Sequence, residues 1–327
     1  MIVAVDAAGG DHFPKNPVKG AIDSVSENES LTVLLVGPEG IINEELANHQ
    51  YDESRILVHN APQVIGMEES PTQAFKTKQQ SSIAIGLGLH KAGKCDAFVS
   101  AGNTGALLAA STFILGKLEG VLRPTIASYY PTLKGFRLLV DAGANLELKA
   151  DMARQFAKMG KVFCRQILSL DSPTVGLLNV GEEEGKGTDI LKEIHQDLQS
   201  LDGFIGNVEG KDILTGKADV YLCDGLVGNI ILKFGESIPG ILMKMIEKAI
   251  GQSDMTKEDI QKTQQLLGSA LGSFNYERVG GIPFLGVNGV SVVGHGGSSA
   301  LAIKNMIKNA VQTVEQDVNG KIIASLN

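Results

Sequence analysis

Six apolar runs in this chain end in the same way. Asp6 leads into Gly9, Gly10 and Asp11; Ser100 into Gly102, Asn103, Thr104 and Gly105; Asp141 into Gly143 and Asn145; Asn179 into Gly181; Asp224 into Gly225; and Gly294 into His295 and Gly296. In an open parallel sheet, ligands bind in the crevice outside the carboxyl ends of the strands, and glycine there lets the backbone turn tightly and approach them. One such ending is ordinary loop chemistry. Six of them, coupled to Asp, Asn, Ser or His, predict one shared polar site.

The stretches between these endings support the same fold class. Short Val-, Ile- and Leu-rich runs alternate with longer amphipathic ones, the pattern of a three-layer αβα protein with an open, mostly parallel sheet. Strands are predicted over Ile2–Asp6, Thr32–Val36, Arg55–Val58, Asp96–Ser100, Thr125–Tyr130, Arg137–Val140, Thr174–Asn179, Phe204–Val208, Asp219–Cys223 and Ser291–Gly294. Asn16-Pro17 and Ser70-Pro71 each place a capping side chain before a proline, which predicts two helix starts.

One segment breaks the alternation. From 226 to 274 the pattern reads helix, polar turn, helix, an insertion within a single α/β catalytic domain spanning 1–327. Ile238, Ile241, Leu242, Met245 and Ile246 are expected on one face of the first helix, and Ile260, Leu267, Ala270, Leu271 and Phe274 on one face of the second. Such a hairpin is expected to serve a dimer contact or a docking arm.

Composition removes several function classes. The chain carries 29 Lys plus Arg against 37 Asp plus Glu, a formal net charge of −8, so nothing draws it as a whole to nucleic acid or anionic lipid. Cys95, Cys164 and Cys223 are widely spaced with no C-x-x-C, so neither a disulfide framework nor a zinc ribbon is indicated. The first residues already form a strand pattern rather than a basic segment before an apolar run, so a cytoplasmic location is expected. Ala106 to Leu115 is too short to span a bilayer, which needs about 20 apolar residues. Any membrane contact is expected to be peripheral.

Ser100 to Gly105 runs from a strand into a helix, so free N–H groups and the helix dipole would face an anion. It is the candidate phosphate cradle. Glu182 to Thr188 resembles a nucleotide P-loop but has three residues, not four, between Gly181 and Gly185. Lys186 still lies between a strand and a helix, a suitable place for a cation on phosphate or a carbonyl. G-x-G-x-x-G, G-x-S-x-G and H-E-x-x-H are all absent, leaving a nicotinamide dehydrogenase or serine hydrolase without direct support. Cys223 lies in an apolar strand and reads as inert packing.

The motifs V-D-A-A-G-G-D-x-x-P (Val5 to Pro14), S-A-G-N-T-G-A (Ser100 to Ala106), D-A-G-A-N (Asp141 to Asn145) and G-L-L-N-V-G-E-E-E-G-K-G (Gly176 to Gly187) resemble the phosphate acyltransferase family known as PlsX. F-I-G-N-V-E-G (Phe204 to Gly210), C-D-G-L-V-G-N (Cys223 to Asn229), L-G-V-N-G-V (Leu285 to Val290) and H-G-G-S-S-A (His295 to Ala300) continue the resemblance in order. It implies a homodimeric enzyme of bacterial phospholipid synthesis. Acyl-[acyl carrier protein] and inorganic phosphate become acyl phosphate, which feeds a membrane glycerol-3-phosphate acyltransferase. The implied fold is that of the isocitrate and isopropylmalate dehydrogenases and of phosphotransacetylase. Ala8, Leu226, Gly297 and Ser299 stand where the family usually has Met, Phe, Ser and Asp.

On this reading Asn103, Thr104 and their neighbours Ser100, Gly102 and Gly105 hold phosphate, and Lys186, Asn229 and His295 line the reacting carbonyl. Asp6, Gly9, Gly10, Asp11, Asp141, Asn145, Asp224 and Ser298 complete the substrate site, with no cofactor or metal expected. The acidic carrier protein needs a positive surface. On the helix from Leu148 to Leu168, Arg154, Lys158, Lys161 and Arg165 are expected to form an exposed stripe about 16 Å long, opposite an apolar face. A dehydrogenase of the implied fold and a noncatalytic scaffold for lipid-synthesis enzymes are the rival functions.

Overall fold

The computed structural model describes residues 1–272, 277 and 279–326. In chain order the elements are β1 (Ile2–Asp6), α1 (Lys15–Glu27), β2 (Thr32–Gly37), α2 (Glu39–Leu46), β3 (Ile56–Asn60), α3 (Pro71–Thr77), α4 (Ser82–Lys91), β4 (Ala97–Ser100) and α5 (Thr104–Ile114). Then follow β5 (Thr125–Thr132), β6 (Gly135–Val140), α6 (Ala150–Ile167), β7 (Val175–Leu178), α7 (Asp189–Leu198), β8 (Phe204–Val208), α8 (Gly210–Ile213) and β9 (Val220–Leu222). The chain closes with α9 (Gly225–Gly251), α10 (Lys257–Leu271), β10 (Gly281–Leu285), β11 (Val290–Gly294), α11 (Ala300–Glu315) and α12 (Val318–Leu326).

One sheet of 11 strands runs through the molecule in the order β3-β2-β1-β4-β11-β10-β5-β6-β9-β7-β8. Side chains alternate across it. Val3 and Val5 pack with α1 and α11, whereas Ala4 and Phe98 pack with α4 and α5. Beyond the centre, Leu138 and Val140 meet α6, α7 and α12, while Leu139 and Tyr130 meet the start of α9. Helices thus cover both faces, as the alternating pattern predicts.

The sheet reverses direction across its middle. β1, β2, β3, β4 and β11 are mutually parallel, but β10 is antiparallel to both β11 and β5, and β5 is antiparallel to β6. β6, β9, β7 and β8 are again mutually parallel. The carboxyl ends of β1, β4 and β11 therefore open on one edge and those of β6, β7 and β9 on the opposite edge. The six strand ends therefore lie on two edges of the sheet and not, as expected, along one.

β10 lies outside the predicted strands because Gly281 and Pro283 both disfavour a strand reading. It meets β5 only at Thr125 and Ile126, so the two strands part above that seam. α3 starts where expected, with Ser70 at the N-cap position and Pro71 at the first helical position, although the Ser70 side chain makes no capping hydrogen bond. α1 instead begins at Lys15, because the Asn16 amide donates to the Ser298 carbonyl at 3.0 Å rather than capping its own helix.

The helical hairpin is present as α9 and α10. Ile238 and Ile246 are half-buried, but Ile241, Leu242 and Met245 are exposed, so the expected apolar face of α9 is left largely uncovered. On α10, Ile260 and Leu267 are half-buried and Ala270 is exposed. Phe274 and the Leu271 side chain lie outside the described parts of the structure.

Candidate active site

The loops after β1 and β4 are joined by a buried pair. The Ser100 hydroxyl donates to the Asp6 carboxylate at 2.6 Å and accepts from the Gly102 N–H at 3.0 Å, while Asp6 also accepts from the Ala8 N–H at 3.1 Å. Burial pushes the Asp6 carboxyl above its ordinary value, and the hydrogen bonds from Ser100, Ser82, Ala8 and Gly9 oppose that rise. Gly9 fits here because a side chain would run into Asp6 and the Gly102 N–H. Asp6, Ser100 and Gly9 position the cradle rather than bind a ligand themselves.

The Asn103 side chain has no polar group to spare for phosphate. Its carbonyl oxygen caps α5 by accepting from the Ala106 N–H at 3.0 Å, and its amide donates to the carbonyls of Gly66, Met67 and Glu69 at 3.0–3.3 Å. The expected side-chain contact to phosphate is therefore corrected to a structural one. What α5 offers an anion is its first turn: the N–H groups of Thr104 and Gly105 have no intrahelical partner, and both residues line the cavity.

The β11 loop completes this edge. Gly10, at φ +88°, lets the chain turn with a side-chain position only 2.8 Å from the Gly296 carbonyl, and the Asp11 N–H donates to that same carbonyl at 2.8 Å. His295 Nδ1 accepts from the Gly297 N–H at 3.1 Å, which places the proton of the neutral ring on Nε2. Ser298 is buried and donates to the His295 carbonyl at 2.6 Å, holding the turn instead of facing a substrate.

The opposite edge is built by Asp141. Fully buried, it accepts from the N–H groups of Gly143, Ala144 and Asn145 at 2.8–3.0 Å and from the Asn145 amide at 2.7 Å. Asp224 caps α9 through the Val227 N–H at 2.9 Å. Asp141 is fully engaged there, so its expected substrate contact is replaced by that role, while Asn145 and Asp224 shape the neighbouring loops. Asn229, one turn into α9, packs against Gly143 and reaches the cavity.

A cavity of about 640 Å³ joins the two edges across the sheet face, between α5 and α9. Thr104, Gly105, Asp11, His295, Gly143 and Asn229 form its polar part; Leu108, Ile126, Leu232, Ile282 and Val293 form its apolar part. Two lining residues on α9 escaped the sequence reading, Lys233 and Glu236. Desolvation raises the Glu236 carboxyl, while His295 and Lys233 pull it down. With Asn229 they recur at three- and four-residue steps, a helical spacing visible in the sequence.

Two other expectations are corrected. Lys186 lies exposed in the loop after β7, outside the residues that line the cavity, where its backbone N–H donates to the Glu183 carbonyl at 3.1 Å. The basic stripe of α6 is largely used up by its neighbours. Lys161 is buried and bonded to Asp202, and Arg154 donates to Asp197 at 2.8 Å and to Ser200 at 2.8 Å. Arg165 is exposed and donates to the Asp171 carbonyl at 3.1 Å, leaving Lys158 half-buried between them. The four do not form an exposed stripe.

The cavity can hold an anion at a helix start, present an imidazole N–H and accommodate an apolar group beside both. Residues 1–321 match the family described as fatty acid synthesis protein. The chain is 46% identical over 338 residues to the phosphate acyltransferase of Chlorobaculum parvum, covering 100% of this chain and 99% of that one. It is 45% identical over 320 residues to the phosphate acyltransferase of Salinibacter ruber, covering 97% and 95%. Among solved structures it resembles a phosphotransacetylase from Streptococcus pyogenes, with a TM-score of 0.63 at 15% identity over 96% of this chain and 94% of that one. It also resembles 4-hydroxythreonine-4-phosphate dehydrogenase from Klebsiella pneumoniae, with a TM-score of 0.51 at 12% identity over 96% and 99%. These two share the fold. The sequence likeness carries the family: the chain belongs to the fatty acid synthesis protein family, alongside the phosphate acyltransferases, and is an acyltransferase.

Proposed function

We propose that the cavity transfers a fatty acyl group from the thioester of acyl carrier protein to inorganic phosphate. The observation that carries this reading is that one cavity unites the unpaired N–H groups of Thr104 and Gly105, the His295 ring and an apolar arm. Phosphate held at the start of α5, with Lys233 nearby, directs an oxygen at the thioester carbonyl. As the new C–O bond forms, the carbonyl electrons move onto oxygen. The His295 Nε2–H and the Asn229 amide are the donors that stabilise this oxyanion. Collapse breaks the C–S bond, and the carrier thiolate leaves and takes a proton from water. No covalent enzyme intermediate is needed, so the protein's work is orientation and oxyanion stabilisation.

The products, acyl phosphate and free carrier protein, fit an enzyme of the bacterial cytoplasm that supplies a membrane glycerol-3-phosphate acyltransferase in phospholipid synthesis. We also assign the exposed hairpin to a homodimer. α9 buries only Gly225, Gly228 and Gly235 along its 27 residues and leaves Ile230, Phe234, Ile241 and Met245 in solvent, a surface that calls for a second copy.

Mass spectrometry after mixing protein, palmitoyl-carrier thioester and phosphate tests the reaction. Palmitoyl phosphate and free carrier thiol in equal amounts are expected. Carrier binding without either product would overturn the proposal in favour of a scaffold, and nicotinamide reduction with a 2-hydroxy acid in favour of a dehydrogenase.

A further inference from the structure

The sheet carries an opening that its own hydrogen bonding defines. β5 meets β10 only at Thr125 and Ile126, and from Ala127 to Thr132 its described partner is β6 alone. β10 turns instead to β11, pairing Gly281, Ile282 and Pro283 with Gly294, Val293 and Val292. Two neighbouring strands thus part in mid-sheet, and the cavity enters the gap: Ser128 and Tyr130 line one wall, Ile282 and Val293 the other. α9 lies over it through Leu232 and Gly235. Gly235 permits that close cover, since a side chain there would strike the Tyr130 hydroxyl.

The gap suits an apolar occupant. The Ser128 hydroxyl already donates to the Tyr129 carbonyl at 3.5 Å, and Ser128 is only 4% exposed. At its polar end the wall passes from Val293 through Gly294 to His295, where the reacting carbonyl would sit. A cavity of about 640 Å³ lies within the roughly 300–1,000 Å³ of small-molecule sites, so it takes a reacting group together with a sizeable tail.

We propose that the gap between β5 and β10 holds the acyl chain, and that Ser128 and Ile282, facing each other across it, limit the chain length the enzyme accepts. The assignment rests on the acyl-transfer reading above for the direction in which the chain enters. Each methylene that gains or loses its place in such an arm changes affinity about fourfold.

The test compares kcat/KM for palmitoyl- and octanoyl-carrier thioesters in the wild type, Ser128→Leu and Ile282→Phe, with palmitate binding measured by calorimetry on the same proteins. Both substitutions fill the gap from opposite walls, so one that fails to fold leaves the other to decide. Expected is a fall of at least tenfold in the palmitoyl-to-octanoyl ratio and a matching loss of palmitate binding, with phosphate KM unmoved. An unchanged ratio in a folded variant overturns the channel. If the wild type forms no acyl phosphate, the transfer reading fails by itself and palmitate binding still decides: weaker binding in the variants supports the channel. Equal binding in all three proteins, or none in the wild type, overturns it.

Discussion

The Ser100 hydroxyl donates to the Asp6 carboxylate across 2.6 Å, and both residues are almost completely buried. The bond locks the loop after β1 to the loop after β4, and with it the start of α5. Its carboxylate is a costly one. Burial raises the Asp6 carboxyl above 3.8, so folded Asp6 binds its proton more tightly than unfolded Asp6 does. The cost of ionising it is absent below the unfolded value and complete above the raised folded one. Wild type should therefore lose stability relative to Asp6→Asn as pH rises through that window, because the amide carries no charge and can accept from the Ala8 N–H while donating its NH2 to the Ser100 oxygen. Thermal melts of both proteins from acid to neutral pH check this, and parallel curves would mean that Asp6 titrates alike in the folded and unfolded chain.

If backbone N–H groups hold phosphate, a substitution that removes one of them without harming the helix should weaken phosphate alone. Thr104 is the first residue of α5, where proline is tolerated, and Asn103 before it sits at φ −60° and ψ 108°, a conformation that proline accepts in its predecessor. Thr104→Pro should raise the phosphate KM about tenfold or more, the worth of one hydrogen bond to a charged group, with melting temperature nearly unchanged. Asn103→Ala should do the reverse. It removes a cap and three carbonyl contacts, so stability should fall by about 1–2 kcal/mol from the cap alone.

His295 should show in kcat more than in KM. Loss of one oxyanion donor costs about 10²–10³ in rate, so His295→Ala is expected to lower kcat by that order while phosphate KM moves little. Glutamine can place its amide near the Nε2 position and asparagine near Nδ1. Steady-state kinetics should therefore show partial rescue by His295→Gln and none by His295→Asn; equal rates in the two would remove the Nε2–H from the mechanism.

Much of the sheet was legible because apolar runs of strand length bounded by glycine have few other uses. β10 was not, since Gly281 and Pro283 interrupt the run and only its neighbours supply the reason to be extended. The reversal of direction was readable in part. The six residues from Pro131 to Phe136 are too few for a crossover helix, so the predicted strands ending at Tyr130 and starting at Arg137 had to be antiparallel. That the reversal then divides the six glycine endings between two edges follows only from the strand order. In the site, strand ends located the loops correctly, but a sequence cannot say which polar side chains are used up holding a loop. Asn103 and Asp141 both are.

The α6 stripe failed for a related reason. Helical periodicity finds the polar face but not what lies over it, and here the segment around α7 supplies Asp197 and Asp202 to Arg154 and Lys161. Lys161→Glu should thus act on the fold and not on the carrier. A buried carboxylate facing Asp202 is expected to cost about 3 kcal/mol, seen as a lower melting temperature, while carrier KM stays at the wild-type value in the folded fraction. A raised carrier KM with unchanged stability would restore the docking surface.

The hairpin offers the clearest test of assembly. Its inner side is settled by the structure: Ile238, Ile246, Ile260 and Leu267 are half-buried, so polar substitution there would damage the hairpin itself. The rest of the apolar surface is uncovered. Ile241 is 55% exposed, Met245 63% and Leu266 72%, and together they leave an apolar surface on two helices that extend away from the sheet. Among the described residues α9 is also the helix long and apolar enough to cross a bilayer, so lipid is the competing occupant. A second copy is favoured because α9 opens inside the cavity wall, at Lys233 and Glu236, where lipid would have to cover charged groups. Replacing Ile241 and Met245 by Ser should convert dimer to monomer in sedimentation velocity at micromolar concentration, with the melting transition of the body retained. If the double variant remains dimeric but no longer floats with anionic vesicles, the outer face belongs to the membrane, and the dimer contact must be sought elsewhere.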